Sequence, residues 1–104
     1  MKNKKVIVYP GSFDPFTLGH KDLVDRALKM FDHVIIAVLK NPQKDLLLDP
    51  EERIKVIKSY FQDSEAVTID TFEGLLVDYL KEKEVNLIMR GMRMLSDFEY
   101  EFQM

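Results

Sequence analysis

Apolar residues gather in four short runs, Val6–Tyr9, Val34–Leu39, Ala66–Ile69 and Leu87–Met89, and between these runs they recur at helical spacing. A run of this length suits a strand, and one without polar alternation, such as Val34–Leu39, predicts burial on both faces. Leu23, Val24, Ala27, Leu28 and Phe31 repeat every three or four residues, predicting a helix over 19–31. Asp49-Pro50-Glu51-Glu52 reads as a helix start, with Asp as N-cap, Pro in the first turn and acids on the positive dipole end. Ile54, Ile57 and Phe61 supply its buried face, and Leu75, Leu76, Tyr79 and Leu80 mark a third helix. Gly91 breaks the fourth run, and Ser96-Asp97 opens a last helical pattern with Leu95, Phe98 and Phe102 on one side. The alternation βαβαβαβα in 104 residues predicts one small α/β domain. Right-handed crossovers then give a parallel sheet of order 3-2-1-4 with helices on both faces.

Such sheets bind ligands beyond the carboxyl ends of the strands, where the strand order reverses. Here the reversal lies between the first and fourth strands, so the segments that follow them, roughly 75 residues apart, are expected to share one crevice. The first segment is Pro10-Gly-Ser-Phe-Asp-Pro-Phe-Thr-Leu-Gly-His20. Its Thr-x-Gly-His step brings the Ser12 hydroxyl, backbone N–H groups and the His20 imidazole to a helix N-terminus, a place that attracts phosphate. Gly11 permits a turn close to a ligand, Pro10 and Pro15 stiffen the loop, and Gly19 leaves the helix start open. A lone Gly-His is most simply an exposed turn; the whole string is what points to phosphate. The second segment, Arg90-Gly91-Met92-Arg93, offers two guanidinium forks around a glycine. Lys44, after Asn41-Pro42-Gln43, opens on the same sheet edge and could add a point charge for a second phosphate.

Other polar residues are less specific. Asp14 either orients the loop or His20, or closes an Asx turn. Asp97, Glu99 and Glu101 are either solvated helix charges or contacts to a sugar and base, and His33 reads as structural. The crevice carries no obvious nucleophile and no metal cage. Charge stabilisation and positioning, as in the attack of one phosphate on another, is the chemistry it suits.

Composition narrows the partners. Apolar residues are 46%, enough for a core, and charged residues are 32% and well mixed. Fifteen basic and 18 acidic residues give a net charge of -3, which disfavours nucleic acid or a membrane surface as a general partner, so an anion must be held by a local basic cluster. Cysteine is absent, removing disulfides, thiolate metal sites and a cysteine nucleophile. The apolar run after Lys4-Lys5 is too short for a signal-peptide core, and no run approaches a membrane span, so a cytoplasmic location is expected. The P-loop, dinucleotide Gly-x-Gly-x-x-Gly, Gly-x-Ser-x-Gly and His-Glu-x-x-His strings do not occur.

At these residues the chain resembles the nucleotidyltransferase superfamily with an (H/T)-x-G-H signature and, within it, the bacterial phosphopantetheine adenylyltransferase family. The resemblance rests on Tyr9–His20, Phe31-Asp-His-Val34, Glu51-Glu-Arg53 and Arg90-Gly-Met-Arg-Met-Leu-Ser-Asp-Phe-Glu-Tyr-Glu101. It implies a Rossmann-like sheet and transfer of an adenylyl group from ATP to 4′-phosphopantetheine, giving dephospho-coenzyme A and pyrophosphate, with Mg²⁺ screening the triphosphate. His20 would stabilise the transition state. Ser12, Lys44, Leu76 and Arg90 would hold the phosphopantetheine, and Ser12, Phe13, His20, Gly91, Met92, Arg93 and Glu101 would line the ATP site. A homo-oligomer, hexameric in the family, is implied as well. The family continues further and carries an Ile-Ser-Ser-Ser/Thr signature that nothing here matches. Residues 1–104 are therefore expected to be a nucleotidyltransferase domain without the C-terminal part and the fifth strand, which puts tight ATP binding and hexamer contacts in question. Two alternatives stay open: a related nucleotidyltransferase with another acceptor, and a non-catalytic anion-binding or assembly fragment.

Overall fold

A computed structural model describes residues 4–40, 48–62 and 64–90. Its elements are β1 (Val6–Gly11), α1 (Leu18–Ala27), β2 (His33–Leu39), α2 (Pro50–Tyr60), β3 (Val67–Phe72) and α3 (Leu76–Lys83). All strands pair in parallel with β2 in the middle, in a register running from Val6↔His33 to Gly11↔Val38 and from Val34↔Val67 to Leu39↔Phe72. On the other edge of β1, Ile88 forms a parallel bridge with Val8, supported by Val8 N–H to the Leu87 carbonyl (3.0 Å) and Met89 N–H to the Val8 carbonyl (2.8 Å). Read across the sheet, the neighbours are β3, β2, β1 and then Ile88.

The central strand explains the two-layer core. Val34, Ile36 and Val38 join Ile7 and Tyr9 on one face, where Val24 and Ala27 of α1 and Ile57 of α2 cover them. On the other face Val8 and Ala37 pack with Phe72 and Tyr79, under Leu76 and Leu80 of α3. Helices thus cover both faces, as a continuous apolar central strand requires. α3 is fastened to β3 by a polar clamp. The Tyr79 hydroxyl donates to Asp70 Oδ2 at 2.9 Å, and the Lys83 ammonium lies 3.3 Å from the same oxygen. Burial pushes Asp70 upward, but the Tyr79 hydroxyl, the Thr71 N–H and Lys83 together outweigh it and hold the carboxyl below its ordinary range. Burial and that same carboxylate push the Tyr79 phenol up.

Three expected boundaries shift. The first helix ends at Ala27 rather than near 31, because Lys29 N–H turns back to the Arg26 carbonyl and Met30 and Phe31 N–H to that of Ala27. Leu28 and Phe31 still pack on the core from this turn, which is why the helical spacing persisted beyond the helix. The third strand runs to Phe72 rather than Ile69: its polar Asp70 and Thr71 sit on a half-covered edge strand, where alternation is weak but the ladder to β2 continues. The fourth strand is, among the described residues, a single bridge. The helical pattern after Ser96-Asp97 lies outside the described residues.

Candidate active site at the carboxyl end of the sheet

Register sets the stage. Gly11, Leu39 and Phe72 end their strands at the same side of the sheet, and Arg90 follows the Ile88 bridge in the same direction. The loop carrying Ser12, the start of α1, the start of α3 and Arg90 therefore open at one end. Of the second motif, Arg90 alone is among the described residues. Ser12 and His20 are half-buried and Arg90 is exposed.

The loop after β1 is shaped by one aromatic ring. Phe13 has a φ of 51°, a left-handed backbone that a bulky residue rarely adopts. Its side chain is only 6% exposed and packs against Tyr9 (ring centroids 5.0 Å apart), Phe16 (5.4 Å) and the edge of His20 (5.2 Å). Burying such a ring stabilises by about 1.5–3 kcal/mol, enough to offset a strained residue of about 1–3 kcal/mol. Gly11 has a different role from the expected turn. It is the last residue of β1, and a Cβ there would lie 3.1 Å from the Phe13 ring, so its hydrogen leaves room for that ring. Phe13 is thus a wall beneath His20, and its ring offers a nucleotide little open surface. Asp14 orients the loop: its Oδ1 accepts the Leu48 N–H at 2.8 Å, tying the loop to the approach to α2.

His20 is fixed by the helix it begins. Thr17 is the N-cap of α1, and its Oγ1 accepts the His20 N–H at 3.4 Å. In return the Thr17 N–H donates to His20 Nδ1 at 2.9 Å. That backbone hydrogen leaves no room for a proton on Nδ1, so the neutral ring carries its proton on Nε2 and presents Nε2 as a donor. Phe13 and Phe16 stand against the ring on two sides. The first turn of α1 contains no acidic residue to neutralise the helix N-terminus. At Gly19 a Cβ would meet only Thr17 Oγ1, at an ordinary 3.6 Å, so packing does not demand glycine.

Leu76 begins α3 and is half-buried, its side chain packed against the layer of Val8, Ala37, Phe72 and Tyr79. Lys44, Gly91, Met92, Arg93 and Glu101 lie outside the described residues. Among the described residues no group of three or more His, Cys, Asp or Glu converges. His33, at the far end of β2, bonds through Nε2 to Thr68 Oγ1 at 2.6 Å; burial, with Lys4 adding to it, lowers its pKa. A groove lined by Lys4, Lys5, Val6, Lys83 and Leu87 also lies at that opposite end. No described helix is long and apolar enough to cross a membrane.

One residue at the site, noted above only within the Glu51-Glu-Arg53 string, was given no role there. Arg53 of α2 is completely buried, and its Nη1 donates to the Ser12 carbonyl (2.7 Å) and the Leu39 carbonyl (3.1 Å). The signal was present: Arg53 stands four positions before Ile57, on the apolar stripe of the helix.

A parallel sheet with helices on both faces and a helix start free of acids beyond its first strand is an α/β arrangement, and comparison with known proteins gives its family. The chain belongs to the cytidylyltransferase-like family, whose model matches residues 8–104. It is 53% identical over 100 residues to a phosphopantetheine adenylyltransferase of Geotalea daltonii, and 54% identical over 100 residues to one of Clostridium novyi. Each match takes in 96% of this chain and 62% of the relative, so the chain spans about three fifths of the length of these curated relatives. Among solved structures, a bifunctional NMN adenylyltransferase/ADP ribose pyrophosphatase from Francisella tularensis, complexed with AMP and a Mn ion, matches with a TM-score of 0.58 at 25% identity. That match covers 78% of this chain and 25% of the other. The fold is an α/β, Rossmann-like one.

Proposed function

We propose that this protein transfers the adenylyl group of ATP to 4′-phosphopantetheine, releasing pyrophosphate and forming dephospho-coenzyme A. The relatives named for that activity support the reading. The observation that carries it is the Thr17 N–H bond to His20 Nδ1, which leaves the ring to meet a phosphoryl oxygen as an Nε2–H donor. In-line attack by the phosphopantetheine phosphate on the α-phosphorus needs no general base, because the nucleophile is already ionised. It needs stabilisation of charge building on the phosphoryl oxygens, which a preorganised donor beside an uncompensated helix N-terminus provides.

In this reading Arg90 and Lys44 hold the attacking phosphate, and the Leu76 backbone meets the pantetheine arm. Ser12 contacts the phosphates of both substrates. The Phe13 backbone, Gly91, Met92, Arg93 and Glu101 line the nucleotide site with His20. A divalent cation, Mg²⁺ in the ordinary case, belongs with the triphosphate as part of the substrate and supplies charge screening.

The test is pyrophosphate release with ATP, Mg²⁺ and a panel of phosphomonoesters. Release is expected with 4′-phosphopantetheine and not with acceptor omitted. Calorimetric titration with each substrate alone reports binding by this chain directly. Release with nicotinamide mononucleotide but not with phosphopantetheine would assign another acceptor.

A further inference from the structure

We propose that Arg53 is a positioning residue for the phosphate crevice: its buried guanidinium holds the loop after β1 to the end of β2, and so fixes the loop that presents Ser12 and His20 to a ligand. The proposal rests on the adenylyl-transfer reading and extends it. Its basis is geometric. One nitrogen, Nη1, bonds both to the carbonyl of Ser12, the first residue after β1, and to that of Leu39, the last residue of β2. These carbonyls stand at the carboxyl ends of two neighbouring strands, and the first of them opens the segment from Ser12 to His20.

Arg53 is an expensive way to fill this space. Among the described residues it is the largest fully buried side chain, and its Nε and Nη2 have no hydrogen-bond partner there. No carboxylate among the described residues pairs with it. A buried cation with unsatisfied donors contributes poorly to stability, and an apolar side chain of similar volume often does better. What the guanidinium supplies and a methionine does not is a donor shared by two backbone carbonyls. The helix delivers it rigidly, since the Arg53 N–H bonds to the Asp49 carbonyl and Ile57 anchors the next turn in the core.

The experiment compares the wild-type chain with Arg53→Met, which keeps the volume, and Arg53→Lys, which keeps the charge but not the fork. Three quantities are read: melting temperature, the carbonyl ¹³C resonances of Ser12 and Leu39, and the affinities for ATP and 4′-phosphopantetheine. In Arg53→Met both carbonyl resonances are expected to move, with affinity for both ligands reduced tenfold or more while the melting temperature changes little. Arg53→Lys is expected to recover the Ser12 resonance and part of the affinity. A folded Arg53→Met with displaced carbonyl resonances and wild-type affinities overturns the proposal, because the tether would then have no consequence for the crevice. Should Arg53→Met fail to fold, Arg53→Lys decides. Loss of one resonance with weakened binding supports the proposal, as does retention of both resonances and affinity; loss of a resonance at wild-type affinity refutes it. If the wild-type chain binds neither ligand, the adenylyl-transfer reading fails for this chain. Arg53 is then judged on the resonances alone, and unmoved Ser12 and Leu39 signals in Arg53→Met would refute the tether.

Discussion

Two helices of this domain begin with the same device built from opposite chemistry. α1 and α2 both start with a capping box. In α2 the N-cap is Asp49, the first residue Pro50, and the next two are Glu51 and Glu52; Asp49 Oδ1 accepts the Glu52 N–H at 3.0 Å and Glu52 Oε1 the Asp49 N–H at 3.3 Å. In α1 the matching positions are Thr17, Leu18, Gly19 and His20, and the ring nitrogen of His20 takes the place of the glutamate oxygen. The hydrogen-bond pattern is the same, but α2 carries three carboxylates on its positive end and α1 none. Acids there stabilise a helix, each by about 0.3–1 kcal/mol. α1 forgoes that gain and, at Gly19, accepts a further cost of about 0.5–1 kcal/mol relative to alanine. One helix start is closed against anions and serves the fold; the other is left positive and open at the carboxyl end of the sheet.

The largest effect should come from converting one into the other. His20→Glu places in α1 the residue that capping boxes ordinarily use at this position, as Glu52 does in α2. The melting temperature should stay at or above that of the wild type. Turnover by an intact enzyme should fall by at least ~10²-fold, the usual loss of about 2.7 kcal/mol or more when an oxyanion donor is removed, deepened here by a like charge. His20→Ala should lose similar activity with little change in KM, and also some stability, since it gives up the cap. Near-normal turnover in His20→Glu would show that the imidazole is only a cap and that the two helix starts differ by accident.

Gly19→Ala divides the same comparison more finely. The Gly19 backbone lies outside the left-handed region and its Cβ direction is nearly empty, so alanine should fit and stabilise the helix by about 0.5–1 kcal/mol. Measured by ATP titration, affinity should fall several-fold to about tenfold, at most roughly 1.4 kcal/mol, because the methyl occupies the approach to the helix N-terminus. A variant that gains stability and keeps full affinity would mean that the open space at Gly19 does not receive phosphate.

This contrast was half legible in the residues. Acids after Asp49-Pro50 announce a closed start, and Thr-x-Gly-His announces an open one, because capping and charge are local properties. The central strand was equally plain, since an apolar run has one interpretation when helices flank it. The shape of the loop was not. Nothing local says that Phe13 adopts a positive φ or that Gly11 exists to clear its ring; both follow from Tyr9, Phe16 and His20 closing around it. Arg53 was readable as part of the Glu51-Glu-Arg53 string and as a charge out of place on an apolar stripe, but not as a tether. Its partners are carbonyls of Ser12 and Leu39, and backbone carbonyls carry no signature in a sequence.

The smallest expected effect tests the closed side. Asp49→Ala removes the side chain that accepts the Glu52 N–H, a loss of about 1 kcal/mol, within a range of about 0.5–2. For a domain of this size that lowers the melting temperature by roughly 4–8 °C. The change also removes a negative charge from the neighbourhood of the crevice, because Leu48, the preceding residue, bonds to Asp14 of the β1–α1 loop. At physiological salt an exposed charge is screened over about 8 Å, so anion affinity should change by less than about threefold. If phosphate affinity instead rises tenfold when Asp49 is removed, the acids of α2 act on the ligand as well as on the helix. If it falls in step with stability, the start of α2 and the crevice melt as one unit, joined through Arg53. Unchanged affinity with a lowered melting point is the outcome that separates the two helix starts into one for the fold and one for the ligand.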